Sequence, residues 1–291
     1  MTIGQVYTHL LSEIKKIYPY EEARSVVFSL LEHHLQVSRA KIMIQFDLVV
    51  PDQSLPAMAR ALEELLNNKP LQYVLGKARF LEAEFIVNQH VLIPRPETEE
   101  LTKIVIDELD SQIDSFNYPM KLIDIGTGSG CIAITLKNHF PEFSVVCLDK
   151  SDETLEVARM NAANLKAEVS FWHADLFDPE AVDGIYLFDV IVSNPPYVLE
   201  SEKKQMHPNV YQYEPAGALF VHDSDPLIYY KAIAEFSAIN LRPNGYLFLE
   251  INEKFGDQVK SLFLNAGFIN VEIRQDLSGK DRFLICRSNR N

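Results

Sequence analysis

The spacing of apolar residues changes along the chain and divides it into three parts. In residues 1–69, apolar side chains recur every three or four positions, which is the period of an amphipathic helix. Ser54, with Pro56 in the following turn, indicates the start of a third helix. We therefore expect an all-helical N-terminal domain, serving either substrate docking or stability. The predicted buried stripes are Val6, Leu10, Ile14 and Ile17; Val26, Val27, Leu30 and Leu31; and Met58, Leu62, Leu65 and Leu66.

Residues 70–96 show a different pattern, which predicts a β-hairpin linker. Apolar runs at 71–76 and 80–87 are short enough for strands. The segment Leu92-Ile93-Pro94-Arg95-Pro96-Glu97 follows, and two prolines so close together predict stiff, extended chain. A helix is expected to begin near Glu97, because acidic residues stabilise the first turn of a helix.

Strands and helices are predicted to alternate in residues 97–291, which we interpret as a catalytic domain. Such alternation is typical of an α/β fold with a parallel sheet covered on both faces. The last two predicted strands are joined by only five residues, so they are expected to pair antiparallel. The predicted strands are 121–125, 144–148, 168–172, 188–193, 245–250, 269–275 and 282–286, with helices at 131–138, 152–165 and 227–239.

The charge and the cysteine content of the chain oppose several classes of function. Residues 1–70 hold seven Lys/Arg and eight Asp/Glu, so nearly all of the net charge of −14 lies in residues 71–291. Binding to long nucleic acid draws on Lys and Arg, so this charge opposes it. Cys131, Cys147 and Cys286 are too few and too widely spaced to indicate disulfides or zinc. With no long apolar run and no leader-like start, we expect a cytoplasmic protein without a membrane segment.

A glycine-rich loop between the first predicted strand of this domain and the next helix indicates a nucleoside site. Three glycines allow a tight turn and close approach of the backbone to a ligand. The spacing is G-x-G-x-G, which differs from the G-x-G-x-x-G of dinucleotide folds and from a Walker loop. Asp149 is placed to accept hydrogen bonds from ribose hydroxyls, and Asp175 with Leu176 to flank adenine. The predicted cofactor residues are Asp124, Gly126, Thr127, Gly128, Ser129, Gly130, Asp149, Asp175, Leu176 and Asn194.

The tetrad Asn194-Pro195-Pro196-Tyr197 ends the fourth predicted strand, on the same rim as the glycine loop. The Asn194 side-chain oxygen and the Pro195 carbonyl can each accept one hydrogen bond from a planar NH2 group. Both acceptors bind more strongly as positive charge grows on a nitrogen that receives a methyl group. Tyr197 can stack on the planar group. The alternative is a plain Asn-Pro turn, and the tetrad alone does not separate glutamine from adenine or cytosine.

These motifs together resemble a known family. The glycine loop with Asn194–Tyr197 looks like a class I S-adenosylmethionine-dependent methyltransferase acting on nitrogen. The segment Leu92–Glu99 resembles the signature of the release factor glutamine methyltransferases. From about residue 70 to residue 286, further segments match this family: Pro70-Leu71-Gln72-Tyr73, Tyr213-Glu214-Pro215 with Ala218-Leu219, and Asp276-Leu277-Ser278-Gly279-Lys280-Asp281-Arg282.

The resemblance implies a fold, a reaction and a substrate. The fold is Rossmann-like, with a seven-stranded sheet whose last strand is antiparallel. The reaction is methylation, by S-adenosyl-L-methionine, of N5 of the glutamine in the Gly-Gly-Gln motif of peptide chain release factors. S-adenosyl-L-homocysteine is the product, and a metal-free monomer is expected. Leu176 stands where some members carry tryptophan. Arg95 and Glu97 are predicted to help bind substrate. Glu250, at the end of the fifth strand, is interpreted as a structural acid or a rim contact and is left out of the predicted site.

Three alternatives remain at this stage. A sister enzyme methylates a glutamine of a ribosomal protein, but its linker typically reads Pro-Arg-Ser-Pro where this chain has Pro94-Arg95-Pro96-Glu97. Methylation of adenine N6 uses the same tetrad, and the net charge of −14 opposes it. A non-catalytic binding module need keep neither Asn194 nor Asp149, so their presence opposes that alternative.

Overall fold

The computed structural model describes residues 1–112, 119–178 and 187–289. Its contacts divide the chain into two compact units. The first unit combines Met1–Lys77 with His207–Tyr213, and the second combines Ala78–Met206 with Glu214–Asn291. The helical N-terminal unit therefore extends beyond residue 69, and it includes a short segment from much later in the chain.

The first unit is helical, and its core contains the predicted apolar stripes with one exception. Ile17 lies beyond the end of the first helix and outside the core, and Leu66 is only partly buried. Leu10, Ile14 and Leu65 are almost completely buried in this core. Thr2 and Gln5 form a capping box at the start of the first helix, which satisfies backbone N–H groups there. Helices of the first unit are α1 (Ile3–Ile14), α2 (Tyr20–Leu35), α3 (Arg39–Ile44), α4 (Leu55–Leu66), α5 (Leu71–Leu75) and, numbered in chain order, α9 (Pro208–Tyr213), with a 3-10 turn at Asp52–Ser54.

The prediction of a strand at residues 71–76 is wrong, because Leu71–Leu75 forms helix α5. Pro70 precedes the helix, and Gly76 ends it with a left-handed φ of 70°. A run of five residues is too short for its apolar period to separate helix from strand. The hairpin itself lies just after this helix, in strands β1 (Lys77–Phe80) and β2 (Ala83–Ile86).

A seven-stranded sheet forms the centre of the second unit, as predicted. The strand order is β10-β11-β9-β6-β3-β4-β5. The last strand, β11, is antiparallel to both of its neighbours, whereas β9, β6, β3, β4 and β5 are parallel. The strands are β3 (Lys121–Ile125), β4 (Ser144–Asp149), β5 (Ser170–His173), β6 (Phe188–Ser193), β9 (Leu241–Glu250), β10 (Ile269–Gln275) and β11 (Asp281–Arg287).

Both faces of this sheet are buried. Leu122 belongs to one apolar cluster and the adjacent Ile123 to a second one, because successive side chains of a strand point to opposite faces. The covering helices are α6 (Pro96–Asp110), α7 (Cys131–His139), α8 (Asp152–Asn164), α11 (Ile228–Asn240) and α12 (Gly256–Asn265). Smaller elements are α10 (Ala216–Leu219), 3-10 turns at Glu200–Gln205 and Glu253–Phe255, and a two-stranded sheet of β7 (Val198–Leu199) and β8 (Phe220–Val221).

The order of the parallel strands fixes where a ligand can bind. From β3 the chain proceeds to β4 and β5 on one side, and then returns to place β6 on the other side of β3. Loops that leave adjacent strands in opposite directions open a crevice at the carboxyl ends of those strands. In the described residues, no helix has both the length and the apolar character to cross a membrane.

Candidate active site

A cavity of about 300 Å³ lies at the carboxyl ends of the parallel strands. Most of the residues predicted from the glycine loop and the tetrad are brought together in its wall. The predicted residues that line it are Gly126, Thr127, Gly128, Ser129, Asp149, Asp175, Leu176, Asn194, Pro195 and Pro196. Asp124, Gly130, Tyr197, Arg95 and Glu97 are not in the described wall of the cavity.

The glycine loop connects β3 to α7, and its backbone lines the cavity without side chains at the glycines. The N–H groups of Gly126 and Thr127 both donate to the carbonyl of Leu148, at 2.8 and 2.9 Å, which ties the loop to β4. Gly126 and Gly128 have φ values of 72° and 57°, which favour glycine. A Cβ atom built on Gly126 would meet no atom of the protein within 4 Å. The loop therefore leaves open space in which a ligand can contact the backbone.

Asp124 lies beneath this loop and is completely buried. Its Oδ2 accepts a hydrogen bond from the Thr127 hydroxyl at 2.7 Å. Burial raises the pKa of Asp124 to about 7, and the Thr127 hydrogen bond only partly opposes this shift. The buried carboxyl group therefore stabilises the turn through its hydrogen bond to Thr127.

Asp149 occupies the end of β4, where the prediction placed a ribose acceptor. Its Oδ2 accepts from the Gly128 N–H at 3.2 Å, and its Oδ1 accepts from the Ser151 N–H at 3.1 Å. Burial raises the pKa of Asp149, and the backbone hydrogen bond from Ser151 is the largest opposing effect. The carboxylate is thus held in place at the cavity wall by backbone donors from two loops.

Asp175 and Leu176 follow β5 and form another part of the wall. Asp175 Oδ1 accepts from the Phe177 N–H at 3.0 Å, so this turn orients the carboxylate. Leu176 packs against the apolar cluster that covers one face of the sheet. Its aliphatic side chain offers an apolar surface for a ring, with less area than tryptophan.

The tetrad leaves β6 beside β3. The Asn194 Nδ2 donates to Thr98 Oγ1 at 2.9 Å, and Thr98 Oγ1 donates to Glu250 Oε2 at 2.8 Å. The Tyr197 hydroxyl donates to the other oxygen of Glu250 at 2.7 Å. The Tyr197 carbonyl in turn accepts from Asn252 Nδ2 at 3.0 Å. Both ends of the tetrad are therefore connected to one carboxylate.

Glu250 is buried, and burial raises its pKa; hydrogen bonds from Tyr197 and Thr98 oppose the shift. For Tyr197, burial is the main cause that raises the pKa well above its usual value, and the charge of Glu250 adds to it. The phenol therefore stays protonated and remains a hydrogen-bond donor. Its hydroxyl supports the tetrad through Glu250, and stacking of the Tyr197 ring on a substrate stays a prediction.

Arg95 is not in the described cavity wall, but it pairs with Glu214 beside the linker residues Leu92 and Pro94, which line the cavity. Its Nη2 lies 2.5 Å from Glu214 Oε1, and the Ile93 N–H donates to Glu214 Oε2 at 3.1 Å. The Glu214 side chain is only 1% exposed and the Arg95 side chain is 31% exposed, so the carboxylate is buried and the guanidinium still reaches solvent. Glu97 lies in the first turn of α6. Substrate binding by Arg95 and Glu97 stays a prediction.

Sequence reasoning misses several residues of the site. His90, Thr154 and Tyr229 line the cavity, and Thr98 and Glu250 support the tetrad. Thr98 lines the cavity and binds Asn194. It belongs to the segment Leu92–Glu99, so the motif contained the signal. The sequence leaves Glu250 as either a structural acid or a rim contact, and its position at the end of a central strand favours the rim. Groups of three or more potential metal ligands do not occur among the described residues.

Comparisons with known proteins agree with this geometry. Residues 94–213 match the family model described as methyltransferase small domain, and residues 5–76 match the PrmC N-terminal domain. The chain is 38% identical over 284 residues to the release factor glutamine methyltransferase of Flavobacterium psychrophilum, covering 98% of each chain. The identity is also 38% over 283 residues to that of Bacteroides thetaiotaomicron, covering 97% of this chain and 99% of the relative.

The fold has a counterpart among solved structures. The crystal structure of a methyltransferase from Pyrococcus furiosus superposes with a TM-score of 0.52 at 17% identity, covering 80% of this chain and all of that one. This likeness shows the class I methyltransferase fold. With the near full-length relatives, it leads to one conclusion: the chain belongs to the release factor glutamine methyltransferase family.

Proposed function

We propose that this protein transfers the methyl group of S-adenosylmethionine to N5 of the glutamine in the Gly-Gly-Gln motif of peptide chain release factors. Family membership supports the substrate, because the relatives that match over nearly the full chain are named for this activity. The observation that carries the chemistry is the hydrogen bond from Asn194 Nδ2 to Thr98. It turns the amide nitrogen toward Thr98 and leaves the amide oxygen for the NH2 group of a substrate.

The cavity suits S-adenosylmethionine in shape and in donors and acceptors. The open space at Gly126 allows close contact with the backbone, Asp149 offers a carboxylate to ribose hydroxyls, and Leu176 offers an apolar surface to adenine. When bound, S-adenosylmethionine supplies an electrophilic methyl group. A volume of about 300 Å³ agrees with the lower end of the range for small-molecule sites.

The protein's own residues address the weak nucleophilicity of the glutamine amide. Its lone pair is delocalised into the carbonyl, so reaction depends on holding the nitrogen in line with the methyl carbon. The Asn194 side-chain oxygen and the Pro195 carbonyl are the two acceptors for the two N–H groups. Pro195 and Pro196 restrict the backbone, so these acceptors are already placed before substrate binds.

We also infer that the helical N-terminal domain, predicted as residues 1–69, docks the release factor, and that the protein acts as a cytoplasmic monomer.

Cys131, Cys147 and Cys286 are free and buried, which suits a reducing compartment. Burial raises the pKa of Cys131 to about 12, so this thiol is a poor nucleophile. Light scattering after size-exclusion chromatography tests the monomer, and a dimer mass at micromolar concentration contradicts it.

The function is tested by incubating the protein with labelled S-adenosylmethionine and, separately, release factor, ribosomal protein and DNA. Label is expected on the release factor alone, and a factor with its Gly-Gly-Gln glutamine replaced should stay unlabelled. Asn194→Ala should lower kcat on the order of 100-fold, since one of the two acceptors is lost. Asn164→Ala, at an exposed asparagine of α8, is the matched control and should keep full activity. Label on ribosomal protein or DNA alone contradicts the proposal.

A further inference from the structure

An amide side chain has two ends of nearly the same shape, and only one of them suits the proposed reaction. If the Asn194 NH2 group faced the cavity, it would meet the NH2 group of the glutamine, and two donors cannot pair. Reversing an amide changes little in packing, so packing alone does not select the correct end. Hydrogen-bond partners must select it.

Thr98 and Glu250 determine the donor and acceptor roles in the hydrogen bonds that hold Asn194. The hydroxyls of Thr98 and Tyr197 both donate to Glu250, and these hydrogen bonds favour its ionised form against the effect of burial. An ionised carboxylate can only accept, so the Thr98 hydroxyl gives its single proton to Glu250 Oε2, at 2.8 Å. Thr98 Oγ1 then faces Asn194 as an acceptor, and the Asn194 atom 2.9 Å away must be the NH2 group. The carboxylate thus determines, through one hydroxyl, which end of the Asn194 amide is turned to the cavity.

Burial strengthens this selection. Thr98 is 4% exposed and Glu250 is 1% exposed, so water has little access to replace either partner. A reversed Asn194 would place its oxygen against Thr98, whose only proton is already donated. Leaving such buried polar groups unpaired disfavours the reversed orientation by about 5- to 150-fold. That preference is enough to keep one orientation dominant.

We propose that Thr98 is a positioning residue: its hydroxyl, oriented by Glu250, holds the Asn194 amide with the oxygen toward the glutamine NH2 group. The inference rests on the proposed function and adds a specific role outside the tetrad. Thr98 acts through Asn194 and does not itself bind the reacting nitrogen. The rest of the tetrad is supported by the second oxygen of Glu250, which accepts from Tyr197.

The test is a comparison of Thr98→Val, which keeps the shape of the side chain, with Thr98→Ser, which keeps the hydroxyl. For methylation of intact release factor, Thr98→Val should lower kcat by about 10- to 100-fold, because misplacement of an attacking group affects the rate strongly. The KM for release factor should change by less than about threefold, since the lost contact is not a binding contact. Thr98→Ser should restore most of kcat.

Thr102→Val is the matched structural control. Thr102 is also buried in α6, and its hydroxyl donates to the Thr98 carbonyl rather than to Asn194 or Glu250. We expect it to retain the kcat of the unmodified protein. Circular dichroism and thermal unfolding of each variant define a temperature at which all are folded, and kcat is compared there.

The effect of Thr98→Val is then measured a second time in a protein that also carries Asn194→Ala. If Thr98 acts through Asn194, adding Thr98→Val to Asn194→Ala should lower kcat no further. The inference is overturned if Thr98→Val alone leaves kcat unchanged, or if it lowers kcat by the same factor in both backgrounds. Failure of the proposed function gives a different result, because the unmodified protein then leaves the release factor unlabelled.

Discussion

Asp124 shows how one buried carboxyl group links the cofactor loop to stability. Its folded-state pKa of about 7 is above its usual value of 3.8, so the folded protein binds this proton more tightly than the unfolded chain. Stability is therefore expected to fall as pH rises from about 4 to about 7, and to level off above the folded pKa. A shift of this size corresponds to an upper limit on the order of 4 kcal/mol.

The free energy of unfolding of Asp124→Asn, measured in urea between pH 5 and pH 8, should depend less on pH than that of the unmodified protein. The asparagine keeps an oxygen for the Thr127 hydroxyl and carries no proton that titrates in this range. Asp257→Asn, at an exposed position of α12, is the control and should leave the pH dependence unchanged. Equal pH dependence in all three proteins contradicts this account of Asp124.

Single residues also mark the limit of what the sequence predicts about the site. Asn194 was found because its neighbours in sequence form a recognisable tetrad after a strand. The contact of Thr98 with Glu250 joins residues 152 positions apart. It forms only when α6 packs on the sheet beside the end of β9. No local pattern describes such a contact, so the sequence alone leaves Glu250 outside the predicted site.

The loop between β3 and α7 gives a prediction at the scale of an element. Gly126 and Gly130 both have left-handed φ values, 72° and 80°, so alanine is strained at either position by about 1–2 kcal/mol. Their surroundings differ. An added Cβ at Gly126 meets no protein atom within 4 Å and lies at the cavity wall, whereas at Gly130 it lies 2.8 Å from Ile134 Cδ1, in the packed interior.

Gly126→Ala should therefore weaken the binding of S-adenosylmethionine by more than about tenfold, because a methyl group occupies ligand space. Gly130→Ala should mainly lower the melting temperature. Isothermal titration calorimetry and thermal unfolding of the two variants separate these effects. The interpretation fails if Gly130→Ala weakens binding as much as Gly126→Ala does.

The linker before α6 supports a second prediction at this scale. Glu214 accepts from the Ile93 N–H and pairs with Arg95, so it fixes a segment whose prolines prevent regular secondary structure. Glu214→Ala should lower the free energy of unfolding by about 2–3 kcal/mol, since hydrogen bonds to charged groups are among the stronger ones. Glu82→Ala, at an exposed acid, should change it by less than about 0.5 kcal/mol. Urea unfolding measures both, and equal effects contradict the role of Glu214.

Elements of the sheet were predicted well, and short elements were not. Strands β3, β4 and β6 are apolar runs buried on both faces, and such runs need no partner information to be recognised. The helix Leu71–Leu75 was mistaken for a strand, although Pro70 and Gly76 mark its two ends. Helix α3, Arg39–Ile44, has only one buried residue, Ile42, so it shows no apolar period to detect.

At the scale of the whole molecule, the proposed site recognises only the planar amide group of the glutamine. Binding of an intact release factor therefore requires contacts elsewhere on the protein surface. The helical unit offers an unusual one: within seven residues, four apolar side chains are half or more exposed, at Met43, Ile44, Leu48 and Val49. Ile44 is 82% exposed and Val49 is 71% exposed. Exposed apolar groups concentrated in this way are typical of protein interaction surfaces.

Deletion of residues 1–69 is a poor test of docking, because His207–Tyr213 belongs to the same compact unit and would lose its partners. The Tyr213 hydroxyl, for example, donates to the Asn67 carbonyl at 2.7 Å. Exchanging Ile44 and Val49 for serine leaves the helical core intact. If this surface docks the release factor, the double variant should raise KM for the intact factor by about 10-fold, as expected for the loss of two apolar contacts. Its kcat should not change.

A short peptide that contains Gly-Gly-Gln separates docking from catalysis. It reaches the cavity without the rest of the release factor, so the double variant should methylate it with the same kcat/KM as the unmodified protein. Leu264→Ser, at a half-exposed apolar position of α12 in the other unit, is the matched control and should leave both substrates unaffected. Equal losses on peptide and intact factor would mean that the substitutions disturb the fold, and unchanged KM on both would exclude this surface from docking.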